Sequence, residues 1–476
     1  MTTLLGHIDA KLGAGIERTV RAHHRRRLAR IGALQALDAP PGDWASTASP
    51  PRDGNALDLF VDGHEALPAI VEAIRSARSH VHLAGWFFSP DFELGERGLT
   101  LRKVLAEAAE RADVRVLAWA GSPLPLFHPD RGESADALEQ LAGGTRIRTA
   151  LDARERPMHC HHEKLVVVDD RVAFVGGIDL TTLAGDRFDT SEHPARGSVG
   201  WHDAAARVEG PVVGDVAAHF ALRWRAVTGE HVDVGSPSPA GGVTVQFTRT
   251  VPEHIYADLA HGEFSILEAY VAALRGAQRF VYLESQFLWS PEVVTVLAEK
   301  LRNPPHPDFR LVVVLPARPN NGADDTRGQL GTLAAADKGR RFLACTLFQS
   351  GTQPPQHVYV HAKIAIVDDR WMTIGSANLN EHSLFNDTEA NLVVADERVA
   401  RALRLRLWSE HLECSESELE GEVVDVVDNR WRPCAEEQRA RLTRGEALTH
   451  RLALLPGVSR RARGLLGPLD GLLVDG

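Results

Sequence analysis

From residue 57 the chain alternates short apolar runs with stretches of helical spacing. Leu57-Asp58-Leu59-Phe60-Val61 reads as a strand, and residues 66–77 place their apolar positions on one helical face. A second strand is predicted over 81–88, a third over 114–119, and two more at Leu165 to Val168 and Val172 to Val175. Strands with such continuous apolar character, alternating with helices, predict an α/β fold with buried strands.

The same pattern then returns. Ala73-Ile74-Arg75-Ser76-Ala77-Arg78-Ser79-His80-Val81-His82-Leu83 aligns with Ala273-Leu274-Arg275-Gly276-Ala277-Gln278-Arg279-Phe280-Val281-Tyr282-Leu283, five of eleven positions being identical at an offset of 200. A repeat of this length is a domain duplication rather than a solenoid. The expected organisation is a basic helical extension and linker over 1–50, one α/β domain over 51–240, a second over 241–425, and a tail over 426–476.

The ends differ in character from the repeat. Residues 11–37 read as helix with Arg18, Arg21, Arg25, Arg26, Arg27 and Arg30 crowded on it. The Pro- and Ser-rich stretch from Ala39 to Pro51 reads as linker. The tail carries Arg441, Arg444, Arg451, Arg460, Arg461 and Arg463 among leucines, and a helix is expected up to Leu455, where Pro456-Gly457 would end it. Arginine clusters of this kind are ordinarily solvated, and they also favour anionic lipid headgroups.

Composition narrows the class. The chain has 476 residues, 44% hydrophobic and 25% charged, typical of a globular protein able to build large cores. Cys160, Cys345, Cys414 and Cys434 are too scattered for a zinc site or a disulfide framework, which points to a reducing compartment. A net charge of -11 argues against a dedicated nucleic-acid binder. No apolar run reaches the roughly 18 residues of a membrane span, and the N-terminus lacks the apolar core of a secretory signal. A cytoplasmic protein, at most peripheral at a membrane, is expected.

The chemistry lies in a pattern that occurs twice, 199 residues apart. His162-Glu163-Lys164 is followed by Asp169 and Gly176-Gly177; His361-Ala362-Lys363 is followed by Asp368 and Gly375-Ser376. Alternation along a strand would turn His162 and Lys164 to one side, and likewise His361 and Lys363, with Val166, Val168, Ala365 and Val367 anchoring each strand. A site on the pseudo-twofold axis of the duplication would receive both pairs. Two imidazoles and two ammonium groups suffice to cleave a phosphodiester without a metal. One histidine attacks phosphorus, the other protonates the leaving oxygen, and the lysines hold the non-bridging oxygens.

These residues resemble the phospholipase D superfamily. The likeness rests on His162, Lys164, Asp169 with Gly176-Gly177-Ile178-Asp179, and on His361, Lys363, Asp368 with Gly375-Ser376-Ala377-Asn378. Trp201-His202-Asp203-Ala204, Phe220-Ala221-Leu222-Arg223-Trp224, Tyr282-Leu283-Glu284-Ser285-Gln286-Phe287 and Asp387-Thr388-Glu389 agree with it, and it covers roughly 55–425. The resemblance implies two duplicated α/β/α sandwich domains with mixed, mainly parallel sheets.

It also implies a phospholipase D or phosphatidyltransferase acting on a phospholipid through a phosphohistidine, with no cofactor. His162 would be the nucleophile and His361 the general acid. Asp203 would orient His162 and Glu389 would orient His361, with Asp387 as the substitute. Asp169 and Asp368 would fix their loop rather than touch substrate. Asn378, with Ser376, Gln286 and Asp179, would line the phosphate site, Asp179 being a departure from the second copy's Asn378.

Neighbouring residues have plainer readings. His159, Cys160 and His161 make a tempting metal cluster, but only His162 has a lysine at the right spacing, so no metal is expected. Glu163 reads as solvent-facing, and Trp86, Phe87 and Phe88 as core. With only about 50 residues before the repeat, no calcium-dependent docking module is expected. A monomer suffices, because the duplicated chain supplies both half-sites.

Overall fold

The computed structural model describes residues 18–95, 97–124, 127–156, 158–183, 200–320 and 323–458. Its first half contains β1 Arg52–Val61, β2 His80–Gly85, β3 Asp113–Trp119, β4 Arg148–Asp152, β5 Leu165–Val168, β6 Val172–Gly176, β7 Gly200–His202 and β8 Ala204–Glu209. The second contains β9 Val243–Val251, β10 Glu263–Phe264, β11 Phe280–Glu284, β12 Arg310–Val314, β13 Phe342–Gln349, β14 Gln356–Val360, β15 Ile364–Val367, β16 Trp371–Gly375, β17 Glu389–Val394 and β18 Leu452–Leu454.

The two halves repeat one topology. The first sheet runs β1-β8-β6-β5-β2-β3-β4, with four antiparallel pairings followed by two parallel ones. The second runs β9-β17-β16-β15-β11-β12-β13, with the same directions in the same order. The duplicated α/β architecture is therefore present. The sheets are mixed, but antiparallel pairing outweighs the parallel majority expected. The reason is that each motif strand is immediately followed by its hairpin partner, which inserts two reversals into every sheet.

Both sheets are buried on both faces, which is why their strands read as unbroken apolar runs. In β5, Leu165 and Val167 face a cluster shared by the two halves, while Val166 and Val168 face an outer cluster under the helices Gly63–Ser76 and Leu101–Ala109. In β15, Ile364 and Ile366 face the shared cluster, and Ala365 and Val367 face the helices Ser265–Gly276 and Pro291–Arg302. The shared cluster is completed by the helices Val212–Thr228 and Glu397–Leu412.

The ends are docked rather than appended. The N-terminal helix runs over 18–31 and breaks at Gly32, whose φ of 78° is one that glycine adopts without strain. It thus stops short of the single helix expected to residue 37. Arg27 is buried, with Nε and Nη2 donating to Glu253 at 2.7 and 2.6 Å and Nη1 donating to Asn386 at 2.7 Å. Arg25 pairs with Asp38. The stretch read as linker straps the second half: Gln246 accepts from the Ala45 N–H, Glu268 accepts from Ser46 and Thr47, and Trp371 donates to the Asp43 carbonyl.

At the other end the helix Arg432–Arg444 stops at Gly445, and β18 adds an antiparallel strand to β13, where a helix was expected to continue. Arg444 is tied to Glu437 and Glu446, and Arg451 is buried. Arg460, Arg461 and Arg463 lie outside the described residues. Among the described residues no helix is long and apolar enough to cross a membrane.

Removing Arg27 takes away the bidentate partner of the buried Glu253 carboxylate and leaves only Arg156, at 3.0 Å, to offset its charge. Breaking a buried pair from one side costs about 3–5 kcal/mol. Arg27→Met is expected to lower the melting temperature accordingly in calorimetry. The pair also fixes an acid limit. Burial opposes the charge, yet Arg27 pulls the Glu253 carboxyl from 4.5 down to about 2. As pH falls the unfolded chain takes up this proton first, so the pair's contribution is complete above about 4.5 and is lost toward about 2. The gap in stability between wild type and Arg27→Met is expected to close over that window.

Candidate active site

Each motif histidine sits just before its strand rather than on it. His162 and Lys164 precede β5, and His361 and Lys363 occupy the gap between β14 and β15. What holds these short irregular segments is the other half of the molecule. The carbonyl of Thr388 accepts from the N–H groups of His162 and Glu163 at 2.9 and 3.0 Å. The carbonyl of His202 accepts from those of His361 and Ala362 at 2.8 and 3.2 Å. Thr388 and His202 each stand one residue before an acid. Parallel pairing extends both contacts, through a bridge of His161 with Thr388 and through β14 alongside β7.

This crossing decides which acid meets which histidine. Glu389 Oε1 lies 2.9 Å from His162 Nδ1, and Asp203 Oδ2 lies 2.6 Å from His361 Nδ1. The sequence reading paired Asp203 with His162 and Glu389 with His361, and the structure exchanges them. Each acid follows its own half's motif in sequence but faces the opposite half's histidine. Asp387, the substitute partner, also falls away from His361: it accepts from the Cys160 N–H at 3.0 Å and lies 3.3 Å from His159 Nδ1.

The acids are themselves oriented. Glu389 accepts from the hydroxyls of Ser383, at 2.6 Å, and Ser376. Asp203 accepts from the Ala204 N–H at 2.8 Å. Gly177 occupies the place that Ser376 has in the second half. A side chain there would bring a Cβ to 2.1 Å from Asp203 Oδ1, so the first motif requires glycine by close approach. With Nδ1 held by the acid, Nε2 is the nitrogen each imidazole would use for chemistry.

Both lysines fold back beside their histidines. Lys164 Nζ donates to the His162 carbonyl at 2.6 Å, and Lys363 Nζ donates to that of His361. All four side chains are buried, as are Asp179, Asp203 and Glu389. Lys164 lies 3.2 Å from Asp179, whose carboxyl burial pushes up despite that lysine. In the second half the equivalent residue is Asn378, and burial pulls Lys363 down to about 7. Burial, with Lys363 and Lys164 beside it, holds His361 well below the usual imidazole range. Burial likewise pushes Glu389 up to about 8 and raises Asp203. Desolvated lysines are what an entering phosphate anion would stabilise.

The remaining expected residues separate into two groups. Asn378 Nδ2 donates to Gln286 Oε1 at 3.3 Å, Gln286 donates to the Tyr359 hydroxyl, and Asn378 Oδ1 is buried with no hydrogen-bond partner among the described residues. These line the site together with Trp201, whose ring lies 5.1 Å from that of His361. Asp169 and Asp368, set among the catalytic candidates, lie at the far ends of β5 and β15, away from the histidines. Each opens a three-residue hairpin connection at positive φ, 54° and 55°. Asp169 accepts from the N–H groups of Arg78, Ser79 and His80, and Asp368 from those of Gln278, Arg279 and Phe280. They fix the loop between helix and strand, as the sequence reading also held.

Several buried groups were not legible. Glu163, read as solvent-facing, is fully buried between Arg223 and His219. Burial alone would raise its carboxyl, but Arg223 and His219 hold it below the ordinary range. Arg223 also binds Asp152, which Tyr256 donates to at 2.6 Å. In the second half Glu284 lies 2.9 Å from His202 and 2.8 Å from His411. The partners come from distant segments, so no local spacing marks them. Trp86 and Phe87 are core, as read, packed with Trp119 and Cys160.

Comparison with known proteins agrees with this geometry. Residues 270–409 match the family model described as "Cardiolipin synthase, PLD-like domain". The chain is 27% identical over 465 residues to "Phospholipase D A" of Dictyostelium discoideum, covering 76% of this chain and 36% of that one. It is 27% identical over 378 residues to "Cardiolipin synthase B" of Salmonella typhi, covering 74% and 79%. The chain thus spans about a third of the length of the first of these relatives. The solved structure of the phosphatidylserine synthase of Haemophilus influenzae Rd KW20 shares the fold, with a TM-score of 0.54 at 13% identity, covering 88% of this chain and 98% of that one.

The two classes of acid are expected to respond differently to substitution. Asp203→Asn and Glu389→Gln should each lower kcat on a phosphodiester by about 10²–10⁴-fold while leaving the melting curve close to wild type, since each loses the orienting charge of one histidine. Asp169→Ala should instead lower stability by about 1–3 kcal/mol, by leaving three N–H groups without their acceptor, and keep kcat within a few-fold. Steady-state kinetics alongside thermal melts separates the two.

Proposed function

We propose that this chain, which belongs to the phospholipase D superfamily, exchanges or hydrolyses the headgroup of a glycerophospholipid through a phosphohistidine. The observation that carries the reading is the convergence of two buried His-Lys pairs, each histidine held by an acid from the opposite half. His162 Nε2 attacks phosphorus, and the bond from phosphorus to the headgroup oxygen breaks. His361 gives its proton to that oxygen, so the alcohol leaves neutral. Water or a second alcohol then enters, His361 takes its proton, and the bond from His162 to phosphorus breaks. Lys164 and Lys363 hold the non-bridging oxygens throughout.

The substrate-free site holds His361 neutral, because the site is buried and two lysines stand close by. An anionic phosphate between the lysines offsets their charge and lets His361 carry the proton that the leaving oxygen requires. Substrate entry thereby prepares the acid. The orientation of His162, with its Nδ1 facing Glu389, supports its role as the nucleophile through Nε2.

A second reading is a cardiolipin synthase-like phosphatidyltransferase, in which the incoming alcohol is itself a phospholipid headgroup. The family match over 270–409 and the Salmonella relative favour it. Both readings share every catalytic step and differ in the second alcohol.

Vesicles of phosphatidylcholine with ethanol, and vesicles of phosphatidylglycerol, distinguish them. Phosphatidylethanol with free choline is expected from the first. Cardiolipin with glycerol from the second vesicle would favour the second reading. No turnover of either lipid, alongside cleavage of single-stranded DNA, would sink both. His162→Ala and His361→Ala are each expected to abolish turnover. In wild-type protein quenched with denaturant during turnover, acid-labile phosphorus is expected on His162; its appearance on His361 would reverse the two roles.

A further inference from the structure

The metal cluster suggested by His159, Cys160 and His161 does not form. Cys160 is buried against Trp86 and Trp119, and His161 turns to Asp152 and Thr388. His159 instead crosses to the second half. Its Nδ1 lies 2.9 Å from His382 Nδ1 and 3.3 Å from Asp387 Oδ1. One ligand atom from each of these three residues lies within 4.8 Å of the others.

We propose that His159, His382 and Asp387 form a binding site for one divalent transition-metal cation, tying the two halves together beside the His162–Glu389 pair. The geometry is that of a coordination shell. A metal bound at about 2.0–2.1 Å by histidine and carboxylate places neighbouring ligand atoms roughly 3.0–3.4 Å apart. The spacing of 3.3 Å falls within this range and that of 2.9 Å just below it. Hydrogen bonding satisfies the same atoms less well, because a single Nδ1–H of His159 faces two neighbours and can serve one. Asp387 is fully buried, and its Oδ2 has no hydrogen-bond partner among the described residues. A cation would meet both needs at once.

Ligand type narrows the ion. Two imidazoles and one carboxylate suit zinc and its neighbours in the first transition row, whereas magnesium and calcium prefer all-oxygen shells. His159 is partly exposed, with 17% of its side chain accessible, which gives the ion a way in and leaves a coordination position for water. Of the two other clusters among the described residues, both include His202, which is wholly enclosed and already faces Glu284, and in one of them His411 faces Glu284 as well. Arg156, whose charge bears on His159, is directed to Glu253 at 3.0 Å.

The site has a positional role. Asp387 stands two residues before Glu389, and His159 three before His162. A bound ion would fix both segments of the first histidine–acid pair from the side away from phosphorus. It needs no part in the reaction proposed above, so it is tested by binding rather than by turnover.

Protein stripped with a chelator and dialysed against Zn²⁺ is expected to retain one ion per chain by elemental analysis, and to melt at a higher temperature than the stripped protein. His159→Gln and His382→Gln should each weaken Zn²⁺ binding by more than the roughly 10–100-fold that loss of an outer-shell partner costs. Melts of both variants in metal-free buffer check that each is folded. His411→Gln should leave the stoichiometry at one. Wild type that binds no stoichiometric Zn²⁺, His159→Gln and His382→Gln that bind as wild type does, or loss of the ion in His411→Gln would each overturn the proposal.

Discussion

The structure depends on a reciprocal clamp between its two halves. One carbonyl from each half receives two consecutive N–H groups of the other half's motif, and the residue after each carbonyl supplies the acid for the histidine so held. The histidine segments have no strand of their own to stiffen them. Their conformation is set by four backbone hydrogen bonds and two carboxylate contacts, every one crossing between halves. A helix-to-strand loop pinned by Asp169 or Asp368 then fixes the far end of each motif strand. Position and orientation of the reactive groups are therefore controlled from both ends, by different aspartates with different duties.

Much of this was legible in the chain. The apolar runs gave the strands because both faces of each sheet are buried, and the 200-residue offset gave the duplication because β2 and β11 kept their spacing to their motifs. The exchange of Asp203 and Glu389 was not legible. Spacing ranks partners by nearness in sequence, and each acid is nearer its own half's histidine. Nor do the two acids obey the motif offset, since the connection from β6 to β8 is longer than that from β16 to β17. Glu163 misled for a different reason. A charged residue between two apolar strands reads as exposed, yet it is buried against Arg223 on a helix some sixty positions away.

The halves are related in topology but not in electrostatics. Asp179 stands 3.2 Å from Lys164, while burial pulls Lys363 down to about 7. Ser376 braces Glu389, while Gly177 leaves space for Asp203. A pseudo-symmetric scaffold thus offers two imidazoles in unlike surroundings, which is the condition for one to bond to phosphorus while the other handles protons.

The crossed acids also bear on descent and on divisibility. A chain of half this length, carrying a single motif, would leave its histidine without a carboxylate and its acid without a histidine. Two copies facing each other would repair both defects at once. The present fold is what results when such a homodimer is joined end to end through the extended segment between the helix Val212–Thr228 and β9. Cutting that segment would sever one covalent link and none of the clamp, so the fragments would remain a complete catalytic unit only as a complex. Neither half holds a working site by itself, and selection on either histidine must act through residues inherited by the other half.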